Sequence, residues 1–157
     1  MRAREQLRAY SFRPAAEGDA SGVAACVKAA YGHYVERIGR PPEPMTEDYA
    51  KVIRERWVTV AESGGGIVGV LVLAATEEGF LLENVAVEPA HHGMGLGKAL
   101  LEFAEAEARR EGFGSIYLYT HEKMTENLAL YAKVGYVEYE RRMEKGLARV
   151  YMRKALR

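Results

Sequence analysis

The sequence holds a single cysteine, Cys26, so no disulfide can close within the chain. Neither a His nor a second Cys stands beside it, and it falls in an alanine-rich helical pattern, which reads as buried packing rather than as a nucleophile. Charge of one sign is also lacking: 22 Lys and Arg stand against 22 Asp and Glu. That balance removes the electrostatic case for nucleic acid or an anionic membrane as the main partner. No apolar run approaches the roughly 20 residues that span a bilayer. Residues 1–8 are charged and lack the apolar stretch of a leader, so the expected location is the cytoplasm. Repeats and low-complexity tracts are missing too, so the 157 residues are read as one domain, 1–157. At that length folding buries roughly 70% of the extended-chain surface, enough for a core without staples.

What is present is an alternation of short strands and helices. Residues 10–13 read as a first strand, and Asp19 as the cap of a helix that buries Val23, Val27, Ala30 and Tyr34 along one stripe. Three prolines keep residues 39–44 out of a helix, and Thr46 is placed to cap a second helix through about residue 54. Residues 57–61 and 67–73 form a hairpin around the turn at Gly64, Gly65 and Gly66, with Gly69 marking a bulge or a close approach. A strand at 80–87, a helix from about 95 to 110, a strand at 115–120, a helix at 125–134 and strands at 136–141 and 149–154 complete the order. Gly112 and Gly135 close the two later helices. The pattern is that of an α+β, mixed α/β sheet.

The densest signal is the stretch Asn84-Val85-Ala86-Val87-Glu88-Pro89-Ala90-His91-His92-Gly93-Met94-Gly95-Leu96-Gly97-Lys98. Glycines at 93, 95 and 97 let successive backbone N–H groups turn toward one concavity, and the helix that follows adds its positive end. Such a loop suits a pyrophosphate, but several phosphate folds share it and the flanks must choose. A P-loop needs a glycine five residues before Gly97 and a hydroxyl after Lys98, where this chain has His92 and Ala99. A dinucleotide fingerprint would open the first strand–helix unit and carry an acidic residue about 20 residues on, where Tyr117 stands.

The arrangement resembles the GCN5-related N-acetyltransferase (GNAT) family: a strand ending in Val-x-Pro, then Arg or Gln, then x-x-Gly-x-Gly or Ala. Here Val87-Glu88-Pro89 precedes His92-Gly93-Met94-Gly95-Leu96-Gly97, with His92 in the usual Arg or Gln position. A second family element, an Asn followed one turn later by Tyr and then Gly-Tyr, reads Asn127 to Tyr136 here, with Tyr131 between them. The two motifs stand in family order, and with the strand order the resemblance covers nearly the whole chain.

The resemblance implies a mostly antiparallel sheet of six to seven strands flanked by about four helices and splayed at the acyl-CoA site. It implies acetyl-CoA as co-substrate, without a metal, and a primary amine of a small molecule or peptide as acceptor. Val85, Ala86, Val87, His92, Gly93, Met94, Gly95, Leu96, Gly97, Lys98 and Asn127 would hold the cofactor. Tyr131, four residues after Asn127 and so on the same helix face, would also touch the cofactor and serve as the acid for the sulfur. The Val85 N–H would face the carbonyl oxygen. An alkyl amine titrates well above neutrality, so the base matters most. Glu83, a carboxylate in an otherwise apolar strand, is the first choice, acting through water, and His121 the second. Tyr34, Arg40, Glu43 and His121 are the candidate acceptor contacts, beside the proline-rich turn. Two other readings stay open on the same motifs: a non-catalytic acyl-CoA sensor or interaction domain, and an acetyltransferase of protein lysines or N-termini. A homodimer through the terminal strands is a further expectation, set against Arg141, Arg142, Glu144 and Lys145, charged residues that protect such edges.

Overall fold

The computed structural model describes residues 9–157, and the charged segment 1–8 lies outside the described residues. Seven strands form one sheet, β1 (Ser11–Pro14), β2 (Trp57–Ser63), β3 (Gly66–Thr76), β4 (Gly79–Val87), β5 (Ser115–His121), β6 (Val137–Glu144) and β7 (Leu147–Ala155), in the order β1-β2-β3-β4-β5-β7-β6. Every pairing is antiparallel except that between β4 and β5. Five α-helices flank the sheet: α1 (Ala20–Tyr31), α2 (Tyr34–Ile38), α3 (Tyr49–Glu55), α4 (Leu96–Arg110) and α5 (Thr125–Lys133). The expected α+β fold with a largely antiparallel sheet is what forms. Among the described residues no helix is long and apolar enough to cross a membrane.

Strand alternation assigns the two faces. In β3, Val70 and Val72 pack with Val23, Val27 and Val52 from α1 and α3, while Leu71 and Leu73 pack with Leu96, Leu100 and Leu101 from α4. Both faces are therefore covered, which is why β3 reads as a continuous apolar run. Gly69 serves both of its expected purposes. The β2–β3 register steps from Ala61↔Gly69 to Glu62↔Ile67, a bulge. A Cβ at Gly69 would stand 3.1 Å from Ala61 Cβ and 3.2 Å from Leu100 Cδ1, so α4 packs down on bare backbone.

Three local expectations are corrected. Asp19 does not cap α1 with its side chain; the carboxylate is taken by Arg13, at 2.7 Å, and by the Ala16 N–H. The cap of α3 is Asp48, which accepts from the N–H groups of Ala50 and Lys51, and not Thr46, whose hydroxyl donates to the Glu43 carbonyl. The proline-rich stretch does contain helical backbone: Glu43–Thr46 is a 3-10 turn, and Pro44 sits early in it, where a missing N–H leaves no gap. The stripe Val23, Val27, Ala30 and Tyr34 is buried as expected, but Tyr34 opens a separate helix after a break at Gly32 and His33.

Two irregularities in β4 prepare a site. Leu73 pairs with Leu82 and Val72 with Asn84, so Glu83 is the extra residue of a bulge. On its other side β4 pairs with β5 only at Phe80↔Ile116 and Leu81↔Tyr117. Beyond that point the strands splay, and alternate backbone groups of residues 82–87 face the gap.

Candidate active site

Two depressions lie against the splayed half of β4. The first is a groove of about 820 Å³ under the glycine loop. Glu88 returns its N–H to the Val68 carbonyl, the chain makes a 3-10 turn over Pro89–His91, and Gly93 and Gly95 then take φ of 78° and 83°. Nothing lies within 4 Å of a Cβ built at either glycine, so glycine is required there by backbone conformation and not by crowding. Gly95 is the residue before α4, and the first turn of that 15-residue helix points N–H groups without intrahelical partners into the groove mouth. Val85, Ala86, Val87, His92, Gly93, Gly95, Leu96, Gly97, Lys98 and Asn127 all line the groove.

Met94 does not line it. Its sulfur lies 2.9 Å from the Tyr10 hydroxyl, which in turn is 2.7 Å from His91 Nδ1, and these contacts hold the loop from outside. His92 lines the groove, but its Nε2 donates to the Val87 carbonyl at 2.9 Å, so one ring nitrogen braces the loop instead of reaching for a phosphate.

The second depression is a small cavity of about 90 Å³ beside Leu82, Glu83 and Asn84 of β4. Glu83, Glu43, His121 and Tyr131 line it. Tyr131 is 4% exposed and burial raises its pKa, so its hydroxyl stays protonated at any ordinary pH. Glu83 makes an ion pair with Arg56, Nε to Oε1 at 3.0 Å. Burial nonetheless lifts its pKa above the usual carboxylate value; Arg56 opposes the rise, while Glu47 and Glu43 add to it. His121 is lowered, chiefly by burial, and its Nδ1 accepts the Lys123 N–H.

The other two expected acceptor contacts lie elsewhere. Tyr34 lines the groove, between the His33 ring at 3.9 Å and the Arg37 guanidinium at 5.1 Å. Arg40 follows the left-handed cap at Gly39 and is carried to the β6–β7 turn, where it donates to the Lys145 carbonyl at 3.1 Å.

Several cavity residues had no place in the sequence reading. Asn84, 4% exposed, accepts from the Tyr31 hydroxyl at 2.8 Å and donates to the Tyr49 hydroxyl at 3.2 Å. The Tyr31 hydroxyl also lies 3.0 Å from the Val85 carbonyl, and Tyr49 donates to the Pro44 carbonyl at 2.5 Å. This chain ties α1, α3 and the proline-rich turn to β4 where the sheet opens. Arg149, 7% exposed, bonds Glu43 at 2.5 Å and Glu144 at 3.1 Å, and its guanidinium lies 4.3 Å from the Tyr119 ring centre. Asn84 carried the same signal as Glu83, a polar side chain in an apolar strand. Arg149, between Leu147 and Val150, carried it more weakly.

The two depressions adjoin. Tyr31 lines both, and on α5 Asn127 lines the groove while Tyr131, one turn on, lines the cavity.

The family model described as Acetyltransferase (GNAT) family matches residues 25–136. An IAA acetyltransferase of Azospirillum brasilense is 33% identical over 81 residues, which is 50% of this chain and 53% of that protein. The chain spans about half the length of the curated relatives it matches. Among solved structures, the PaiA N-acetyltransferase from Thermoplasma acidophilum in complex with coenzyme A superposes with a TM-score of 0.77 at 17% identity, over 93% of this chain and 98% of that one. The putative acetyltransferase YncA from Salmonella typhimurium, with its cofactor acetyl-CoA, gives 0.68 at 23% identity, over 95% of each chain.

Proposed function

We propose that this chain, which belongs to the acetyltransferase (GNAT) family, moves an acetyl group from acetyl-CoA to a primary amine of a small molecule or peptide, by direct attack with both substrates bound. The observation that carries the reading is the meeting of groove and cavity at Tyr31, with Asn127 and Tyr131 on one face of α5 looking into one each. A cofactor threaded along the groove would present its acyl end where an amine waits in the cavity.

The residues present fit the cofactor. The open space over Gly93 and Gly95 and the N–H groups of the first turn of α4 suit a pyrophosphate, and the edge of residues 82–87 that β5 leaves unpaired suits an amide-bearing arm, its Val85 and Val87 carbonyls being held by Tyr31 and His92. Lys98 and Asn127 add polar contacts along the groove.

In the reaction an ammonium enters with three N–H protons and leaves as an amide with one. Glu83 draws the first proton through water, and the nitrogen lone pair then forms the C–N bond. The Val85 N–H, on the unpaired side of β4, stabilises charge growing on the carbonyl oxygen. The C–S bond breaks, the sulfur takes a proton from the Tyr131 hydroxyl, and Tyr131 regains one as the amide nitrogen sheds its second. The sum is amide, free thiol and one proton to solvent. Raised by burial, Glu83 is a better base than a free carboxylate, and Tyr131 is held in the acid form.

The test is incubation with acetyl-CoA and a panel of amines, following free thiol and the mass of the amide. Turnover with at least one amine is expected. Tight binding of acetyl-CoA with no acetylated amine across the panel would overturn the reading in favour of a sensor.

A further inference from the structure

We infer that the acceptor is a doubly cationic amine, one ammonium reaching the buried end of the cavity by Glu83 and Tyr131 and a second cationic group of the same molecule held at its exposed end by Glu47 and Glu43. The inference rests on the cavity being the acceptor site, and its content is the chemical class of molecule that enters.

The charge around the cavity is unbalanced. Glu83 is matched by Arg56, and Arg149 is shared by Glu43 and Glu144. Glu47 lines the same cavity, is exposed and forms no ion pair with any described residue. Arg56 and Glu144 lie outside the cavity lining, which itself carries three carboxylates, Glu43, Glu47 and Glu83, and one guanidinium, Arg149, an excess of two negative charges. They act on one spot: Glu47 and Glu43 both raise the Glu83 pKa, and Glu43 and Glu83 both act on Tyr119. Two cationic groups on one acceptor would neutralise the excess.

Depth separates the two ends. Exposure rises from 4% at Tyr131 through 20% for the Glu83 side chain and 36% for that of Glu43 to the exposed Glu47. Val72, Leu82 and Met124 also line the cavity and suit a short apolar stem. An acceptor with a carboxylate at its far end meets the opposite situation. Arg149 already holds two carboxylates, so the newcomer would have to displace Glu43 while facing Glu47 and Glu83.

The experiment compares kcat/KM of the full chain at saturating acetyl-CoA for diaminobutane, butylamine and aminobutyrate, which share a stem and differ in the far group. Diaminobutane is expected to exceed butylamine about tenfold, and butylamine to exceed aminobutyrate. Glu47→Gln, at an exposed position without a partner, should cut the diamine advantage to about threefold, acting on KM and not on kcat. Glu36→Gln, an exposed carboxylate on α2 outside the cavity, should leave the ratio where it was. Equal or better turnover of aminobutyrate, or a ratio unmoved by Glu47→Gln, overturns the inference while leaving amine acetylation standing. Failure to acetylate any amine overturns both.

Discussion

The groove and the cavity lie on the same strand and are built from opposite materials. The groove takes most of its wall from one unbroken stretch of chain, the end of β4, the glycine loop and the first turn of α4, and offers mainly backbone. The cavity is assembled from side chains on α1, the proline-rich turn, α3, β3, β4, β5, α5 and β7. A site made of backbone N–H groups recognises what every acyl-CoA has in common and tolerates side-chain drift. A site made of scattered side chains can change its acceptor one residue at a time while the cofactor half stays as it is.

The comparison breaks first, and by the widest margin, at Glu83. Glu83→Gln should lower kcat/KM about a hundredfold, while calorimetry finds acetyl-CoA affinity unchanged. The sign of the pH dependence follows from the raised pKa: the base works only when ionised, so activity falls as pH drops through a value above the usual carboxylate range, and the variant loses that acidic limb. A limb that persists in the variant would move the base to His121. Next is Asn84→Ala, which removes one partner from each of the buried hydroxyls of Tyr31 and Tyr49 and leaves them only the Val85 and Pro44 carbonyls. It should cost about 2 kcal/mol in denaturant unfolding and raise the acceptor KM more than the acetyl-CoA Kd, because the network anchors cavity walls. Equal loss of both would mean that the two sites are one mechanical unit.

Tyr131→Phe should slow kcat about tenfold, since a thiolate leaves with only modest help from an acid, with little change in acetyl-CoA binding. An unchanged kcat would remove Tyr131 from the chemistry and leave it as wall. The smallest effect belongs to the groove itself. Gly95→Ala places a side chain in open space but at φ of 83°, so thermal unfolding should register about 1 kcal/mol and acetyl-CoA affinity should fall a few-fold with kcat preserved. A larger fall in kcat than in affinity would show that the loop also sets the position of the reacting carbonyl.

Much of the fold was legible because periodicity reports burial directly. The runs that became β2, β3, β4, β5 and β7 carry apolar strand patterns, and α4 carries a stripe at Leu96, Leu100 and Ala104 that packs as expected. Where two neighbouring residues could do the same local job, sequence chose badly: Thr46 and Asp48 both suit a cap, and the turn made by Pro44 decides which one faces the open N–H groups. Asp19 had the right type and position, but Arg13, six residues earlier, takes its carboxylate from the helix end. Arg40 and Tyr34 are expected acceptor contacts from their place beside Glu43 in sequence, yet the cap at Gly39 sends Arg40 to the β6–β7 turn and α2 turns Tyr34 to the groove.

By itself the sequence determined the groove, since glycine conformation, a helix start and the four-residue spacing from Asn127 to Tyr131 are local properties carried within a few bonds. The cavity was decided only by tertiary structure. Asn84 between two tyrosines, Arg149 between two glutamates, and Glu47 with Glu83 around one cavity join residues distant along the chain, and their charges and hydrogen bonds acquire meaning only when packing brings them together.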